Sequence, residues 1–238
     1  MTKQSKSAVE THFDETIGAT PVQEYDFNPK ALGIKDRRIV ELLQRASPDG
    51  KACLDIGPGT GRWLKFLKQN GAISLVGVDV SSEVLERCAP LCDSTQKLDV
   101  EVDTLDYGDN SFDIIISIEV LEHLRDPDIY FSEIIRVAKP GANVVMSLPN
   151  IASMMSRFRL LFGYLPTAIA SDPTHVRFYL QNDIALMLAK RGQNVAFVPT
   201  SFSLHPFNRK SWLRMPTNGF LSSFDDSLLF SFKVAKLR

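Results

Sequence analysis

The residues with the clearest chemistry lie in the run Asp55-Ile56-Gly57-Pro58-Gly59-Thr60-Gly61. It follows an apolar stretch and precedes a helical pattern, the setting of a loop that holds a nucleotide-like cofactor. Glycine lets the backbone turn tightly there and lets a ligand approach it closely. A dinucleotide-binding loop is spaced G-x-G-x-x-G. Gly57, Gly59 and Gly61 are spaced G-x-G-x-G instead, and Arg62 stands where the third dinucleotide glycine would be. Asp55 places a carboxylate just before the loop, which would repel a pyrophosphate but not a sulfonium cofactor carrying an α-amino group. Asp79, about twenty residues further on, is placed at a strand end to accept both hydroxyls of a ribose.

A second constellation is Glu119-Val120-Leu121-Glu122-His123-Leu124. In a helical turn Glu119, Glu122 and His123 would stand at i, i+3 and i+4 on one face. Two carboxylates and an imidazole there suit a divalent cation or a general base. The plainer alternative, a surface helix start with a capping imidazole, stays open.

These groups need a scaffold, and the hydrophobic pattern supplies one. A helix is expected over Asp36–Ala46, then strands at Ala52–Ile56, Ser74–Val78, Lys97–Val102, Phe112–Ile118 and Ala142–Leu148. Between them lie helices at Thr60–Gln69, Ser81–Ala89 (capped by Ser81 or Ser82) and Asp128–Ala138, the last ended by the turn Lys139-Pro140-Gly141. A helical stretch from Pro149 to about Phe162 and a helix over Leu180–Arg191 follow, with late strands at Val195–Pro199 and Leu228–Val234 around an irregular segment, 202–227. Alternating strands and helices imply a parallel sheet covered on both faces, and the two late strands suit an antiparallel edge pair.

The glycine loop and Asp79 resemble class I S-adenosylmethionine-dependent methyltransferases, strongly over residues 36–150 and more weakly to about 200. The resemblance implies an α/β fold with a Rossmann-like, seven-stranded, mostly parallel sheet, helices on both faces and an antiparallel edge hairpin. It implies S-adenosylmethionine as cofactor, contacted by Asp55, Gly57, Gly59, Gly61, Asp79, Val80, Glu101, Val102 and Ile118. Glu101 and Val102 match an acidic residue and apolar neighbour that meet the adenine, with Asp103 as competitor for the acid. Residues 1–35 would be an arm or lid, with Tyr25 and Phe27 closing over the cofactor. Residues 36–238 would be the catalytic domain, with substrate-side insertions near 150–180 and 202–227.

Methyl transfer from a sulfonium needs little help at the donor. An alcohol acceptor does need help, because it holds its proton tightly near neutral pH; a metal lowers that pKa and a histidine takes the proton. The Glu-x-x-Glu-His segment is similar to one in ubiquinone-pathway O-methyltransferases and the plant small-RNA 2′-O-methyltransferase, where another histidine follows downstream. That resemblance implies magnesium or another divalent metal on Glu119, Glu122, His123 and His175, with His123, Glu122 and His175 as catalytic residues. His175 is equally suited to bonding a loop backbone. The segments around Ser147-Leu148-Pro149-Asn150 and His175-Val176-Arg177-Phe178-Tyr179 also resemble methyltransferases of surface polysaccharides, which implies a glycan, free or lipid-linked, or another small hydroxyl acceptor. Alternative acceptors are a quinone phenol or an RNA ribose, and a non-catalytic methyltransferase-like binding module is a further reading.

Bulk properties narrow the field. A net charge of −1 disfavours nucleic acid, which wants a basic face. Cys53, Cys88 and Cys92 form no framework, as expected of reduced thiols and a cytoplasmic protein. No signal peptide or membrane span is evident. The first ~20 residues are polar and expected to be mobile. Met154 to Leu165 reads as a helix over the core or as a lid touching a lipid-linked substrate. Phe202–Phe224, with Phe207, Arg209, Lys210, Trp212, Arg214 and Phe220, would cap the acceptor pocket or contact a partner or the inner membrane face.

Overall fold

The structure is a computed structural model that describes residues 8–18, 27, 28, 30–170, 172–204, 213–218 and 221–235. Tyr25, Phe207, Arg209, Lys210, Trp212 and Phe220 lie outside the described residues. Helix α1 (Ala8–Phe13) runs into a π-helical turn, Asp14–Gly18, and is followed by α2 (Ile34–Ala46). The chain then alternates: β1 (Ala52–Ile56), α3 (Arg62–Gln69), β2 (Ser74–Asp79), α4 (Ser82–Cys88), β3 (Ser94–Lys97), β4 (Phe112–Ile118), α5 (Asp128–Val137) and β5 (Ala138–Pro149). Next come α6 (Met154–Leu161), α7 (Thr167–Ala170), α8 (Gln181–Ala189), β6 (Val195–Val198), β7 (Ser201–Leu204), β8 (Leu213–Pro216) and β9 (Ser227–Lys233).

Seven strands form one sheet in the order β3-β2-β1-β4-β5-β9-β6. The first four pairings are parallel, and β9 runs antiparallel to both β5 and β6. The expected α/β class is therefore found, and the two late strands do pair. The apolar run of β4 is explained by burial from both sides. Ile115 packs with Tyr130, Phe131 and Phe230 on one face, and Ile114 and Ile116 pack with Leu43, Trp63 and Leu67 on the other. In α3 Trp63, Leu64, Phe66 and Leu67 are buried, the stripe that a helix laid on a sheet requires.

The structure corrects several expectations. The third strand is Ser94–Lys97 rather than Lys97–Val102. It is a largely exposed edge strand, so it lacks the apolar run that marks its neighbours. Segment 202–227 contains the antiparallel pair β7–β8. The Lys139-Pro140-Gly141 turn is absorbed into β5, with a register shift against β4 between Phe112 and Ile114. Within the described residues 8–18 the chain is anchored rather than loose. Glu10 and Asp14 are buried; Lys97 binds Glu10 at 2.6 Å, and Ser81 Oγ donates to Asp14. Among the described residues no helix is long and apolar enough to cross a membrane.

Candidate active site

The sheet's strand order reverses between β1 and β4, and ligands bind at such a switch point, beyond the carboxyl ends of the strands. A cavity of about 640 Å³ opens there. Its walls include Gly57 to Thr60 after β1, Asp79 and Val80 after β2, Leu98 to Glu101 after β3, and Ile118 to Val120 after β4. The two constellations noted in the sequence thus share one cavity, because Glu122, His123 and His175 also line it.

The glycine loop owes its path to its residues. Gly57 has φ +70°, and a β-carbon there would lie 2.4 Å from Val120 Cγ2. Gly61, at φ +74°, starts α3 with Leu91 and Cys88 directly above it. The close approach of Val120 brings the β4 loop against the glycine loop. Beneath the loop Asp55 is fully buried, and neither carboxylate oxygen has a hydrogen-bond partner among the described residues. Burial first, then the nearby Asp79, push its carboxyl well above the usual range. Asp55 and Gly61 support the loop from below and do not line the cavity.

Asp79 faces the cavity at the end of β2. Burial pushes its pKa up to about 6, against the opposing backbone N–H of Ser81. Val80, Ile118 and Glu101 line the cavity as expected. Val102 does not; it is 64% exposed. The backbone N–H groups of Val102 and Asp103 both reach Asp99 O, and this tight turn throws Val102 outward. Asp99 and Val100 line the wall instead. Glu101 also receives the backbone N–H groups of Arg125 and Asp126, and Asp103 folds back onto Asp99 N.

The Glu-x-x-Glu-His segment is not one helical face. Glu119 adopts φ +59°, a left-handed conformation rare outside glycine, and Leu121–His123 form a single 3₁₀ turn. Glu119 is engaged by Ser147 Oγ at 2.6 Å and Lys35 Nζ at 3.2 Å. For Lys35, burial opposes the charged form, but Glu119 and Asp36 outweigh it and the pKa is raised. Glu119 therefore stands apart from the other three predicted ligands.

Glu122, His123 and His175 each offer a ligand atom, all within 4.8 Å of one another. Glu122 is 2% exposed and both its oxygens lack a hydrogen-bond partner among the described residues. Burial, and next Glu119, hold its carboxyl well above the usual range. His175 Nδ1 lies 2.6 Å from the Ala168 carbonyl, which can only accept, so Nδ1 carries the proton. Nε2 then presents a lone pair, 3.9 Å from Glu122 Oε1. His175 thus bonds a loop backbone and faces the cluster at once. Burial lowers the His123 pKa, with His175 adding to the effect. Two imidazoles and one carboxyl group are donors that fit a divalent metal, and bonded outer nitrogens are how such ligands are oriented.

Sequence reasoning placed the N-terminal contribution at Tyr25 and Phe27 and missed Phe13. Phe13 lines the cavity and meets the His123 ring edge-on at 5.1 Å. Phe27, expected to close over the cofactor, instead packs against Phe66 and Trp63. Asp172 also lines the cavity, 3.8 Å from His175 Nε2 and 3.5 Å from His12 Nε2.

With that geometry in view, comparisons with known proteins are decisive about family. The family described as "Methyltransferase domain" matches residues 32–196. The chain belongs to the class I S-adenosylmethionine-dependent methyltransferase family. It is 32% identical over 116 residues to norajmaline N-methyltransferase of Rauvolfia serpentina, covering 46% of this chain and 39% of that one. It is 25% identical over 183 residues to demethylmenaquinone methyltransferase of Tropheryma whipplei (strain Twist), covering 67% and 74%. The match to the Rauvolfia enzyme therefore spans well under half of that protein's length. A solved structure of magnesium protoporphyrin IX methyltransferase from Synechocystis PCC 6803, with bound SAH, shares the fold at TM-score 0.60 and 16% identity, covering 96% and 95%.

Proposed function

We propose that this protein transfers a methyl group from S-adenosylmethionine to a hydroxyl of a glycan or another small acceptor, with a divalent metal on Glu122, His123 and His175. The observation that carries this reading is Glu122, a buried carboxyl with no hydrogen-bond partner among the described residues, facing the free nitrogen of His175 in the cavity that also holds the glycine loop. The cofactor supplies an electrophilic methyl on sulfonium. In this reading the protein's part is positioning. Asp79 accepts the ribose hydroxyls, Asp99 to Glu101 flank the adenine, and Glu119 stands beside the glycine loop, placed for the cofactor's α-amino group. A bound metal would lower the pKa of the acceptor hydroxyl. With the lone pairs of His123 and His175 on the metal, the second oxygen of Glu122 would be left to receive that proton.

A glycan acceptor, free or lipid-linked, follows from the polysaccharide-type segments around Ser147–Asn150 and His175–Tyr179, and a lipid-linked one would bring the enzyme to the inner membrane face. A cytoplasmic location belongs to the same reading. The likeness to demethylmenaquinone methyltransferase over 67% of the chain favours a quinone acceptor as the second reading. The deciding experiment is transfer of labelled methyl from S-adenosylmethionine to glycan and quinone acceptors, before chelation, after it, and after divalent metal is restored. Loss and recovery of transfer is expected. Full activity in chelator would remove the metal, and labelling of the quinone alone would move the acceptor.

A further inference from the structure

The methyl-transfer chemistry makes no use of the end of α6 and the turn beyond it. Between Phe158 and Leu165 six large apolar side chains face solvent, from Phe158 at 50% exposed to Leu161 at 77%. Single exposed apolar residues are ordinary, whereas a contiguous group marks a surface that something covers. The turn is built, not frayed. Phe162, Gly163 and Tyr164 send their N–H groups back to Phe158, Leu160 and Arg159. The rings of Phe158 and Phe162 stand 6.2 Å apart, and the Arg159 guanidinium lies over Tyr164. From Ile151 to Ser171 the only charged residues are Arg157 and Arg159, in a chain that carries 28 acidic residues.

We propose that Phe158–Leu165 docks on an anionic lipid surface. Its apolar side chains would enter the boundary between headgroups and acyl chains, with Arg157 and Arg159 at the level of the phosphates. Tyr164 has the amphipathic ring that suits this depth. The charge selects the occupant. A two-fold contact with a second copy would face the same patch against itself, bringing four arginines together with no carboxylate from this segment to balance them. The location ties docking to the active site, since α7 follows directly and its Ala168 carbonyl holds the His175 ring. A membrane-seated turn therefore puts the acceptor side of the cavity beside the lipid and favours a lipid-linked acceptor. This last step rests on the methyl-transfer reading; the docking itself does not. This surface is separate from Phe202–Phe224, for which a membrane contact was one of three sequence expectations.

The test is flotation of the full-length protein with phosphatidylcholine vesicles, with and without phosphatidylglycerol, alongside S-adenosylmethionine calorimetry. Binding to the anionic vesicles is expected, weakening with salt, and falling roughly tenfold or more in a Leu161→Glu, Phe162→Glu variant whose cofactor affinity is unchanged. A Leu161→Trp variant gives a second readout that keeps the surface apolar, with blue-shifted emission expected on anionic vesicles. The proposal is overturned if the wild type ignores anionic vesicles, if the double variant binds them equally, or if the tryptophan emission does not move. It is also overturned if sedimentation velocity shows a dimer that the double variant dissolves while vesicle binding is absent. Loss of cofactor binding by the wild type would sink the methyltransferase reading and leave the docking result standing.

Discussion

The Nδ1 of His123 and the hydroxyl of Thr174 lie 3.0 Å apart, and that contact sets the tautomer of the ring. The hydroxyl has one proton, and it goes to Asp172 Oδ1 at 2.6 Å. Thr174 can then only accept from His123, as its carbonyl also does at 3.1 Å. Nδ1 therefore carries the hydrogen and Nε2 carries the lone pair. Thr174→Val deletes the acceptor hydroxyl while keeping the shape, so divalent-metal affinity should fall about 10- to 100-fold, as for other lost outer contacts. Thr174→Ser should restore it. Metal titration followed by calorimetry checks this; equal affinity in the valine variant would show that the hydroxyl does not orient the ring.

Glu122 governs how the apo protein responds to pH. Its folded-state pKa is raised by burial and by Glu119. Its contribution to stability is thus intact below the ordinary carboxylate pKa and is lost as pH rises through the raised value. In chelator, Glu122→Gln should flatten that decline and melt higher than the wild type near pH 8. The same variant should lose metal binding, because an amide cannot replace the anionic ligand. Melting curves from pH 5 to 8.5, with chelator and with metal, report both effects; a wild-type profile unchanged by the substitution would refute this assignment.

Asp79 should make cofactor binding pH-dependent. Burial raises its pKa to about 6, and the ionised form is the better acceptor for two ribose hydroxyls. As pH falls from 7.5 to 5 the ionised fraction drops, and affinity for S-adenosylmethionine should weaken roughly tenfold. Its stability contribution runs the other way, present below the ordinary aspartate value and lost as pH climbs through about 6. Asp79→Asn should bind weakly at every pH. Calorimetry across this range decides the matter, and a flat wild-type profile would place the ribose elsewhere.

Much of the site was legible because its signals are local. The glycine spacing, Asp79 at a strand end and the Glu-x-x-Glu-His run each lie within a few residues, and strand–helix alternation placed them at one sheet edge. Contacts between distant segments were not legible. Lys35 reaches Glu119 from α2, Thr174 reaches His123 from beyond α7, and Phe13 reaches it from the first helix. No spacing rule encodes those pairs. Glu119 stands apart from Glu122, His123 and His175 because the backbone takes a left-handed bend where a helical face was expected. Val102 was misplaced because the Asp99 turn, made by backbone groups, carries no apolar pattern.

The tight seat of Gly57 gives the sharpest test of the cofactor loop. A β-carbon would meet Val120 Cγ2 at 2.4 Å, and the residue's φ of +70° strains any L side chain. The two penalties have different remedies. Gly57→Ala should destabilise the fold by about 2–4 kcal/mol, combining left-handed strain with overpacking, and should weaken S-adenosylmethionine binding. Adding Val120→Ala removes the collision but not the strained φ, so it should recover part of the stability. The recovery expected is the overpacking share, about 1–3 kcal/mol, read as non-additivity in a double-mutant cycle. Purely additive effects would mean that Val120 does not press on the loop, and the coupling between the β4 segment and the cofactor loop would fall with it.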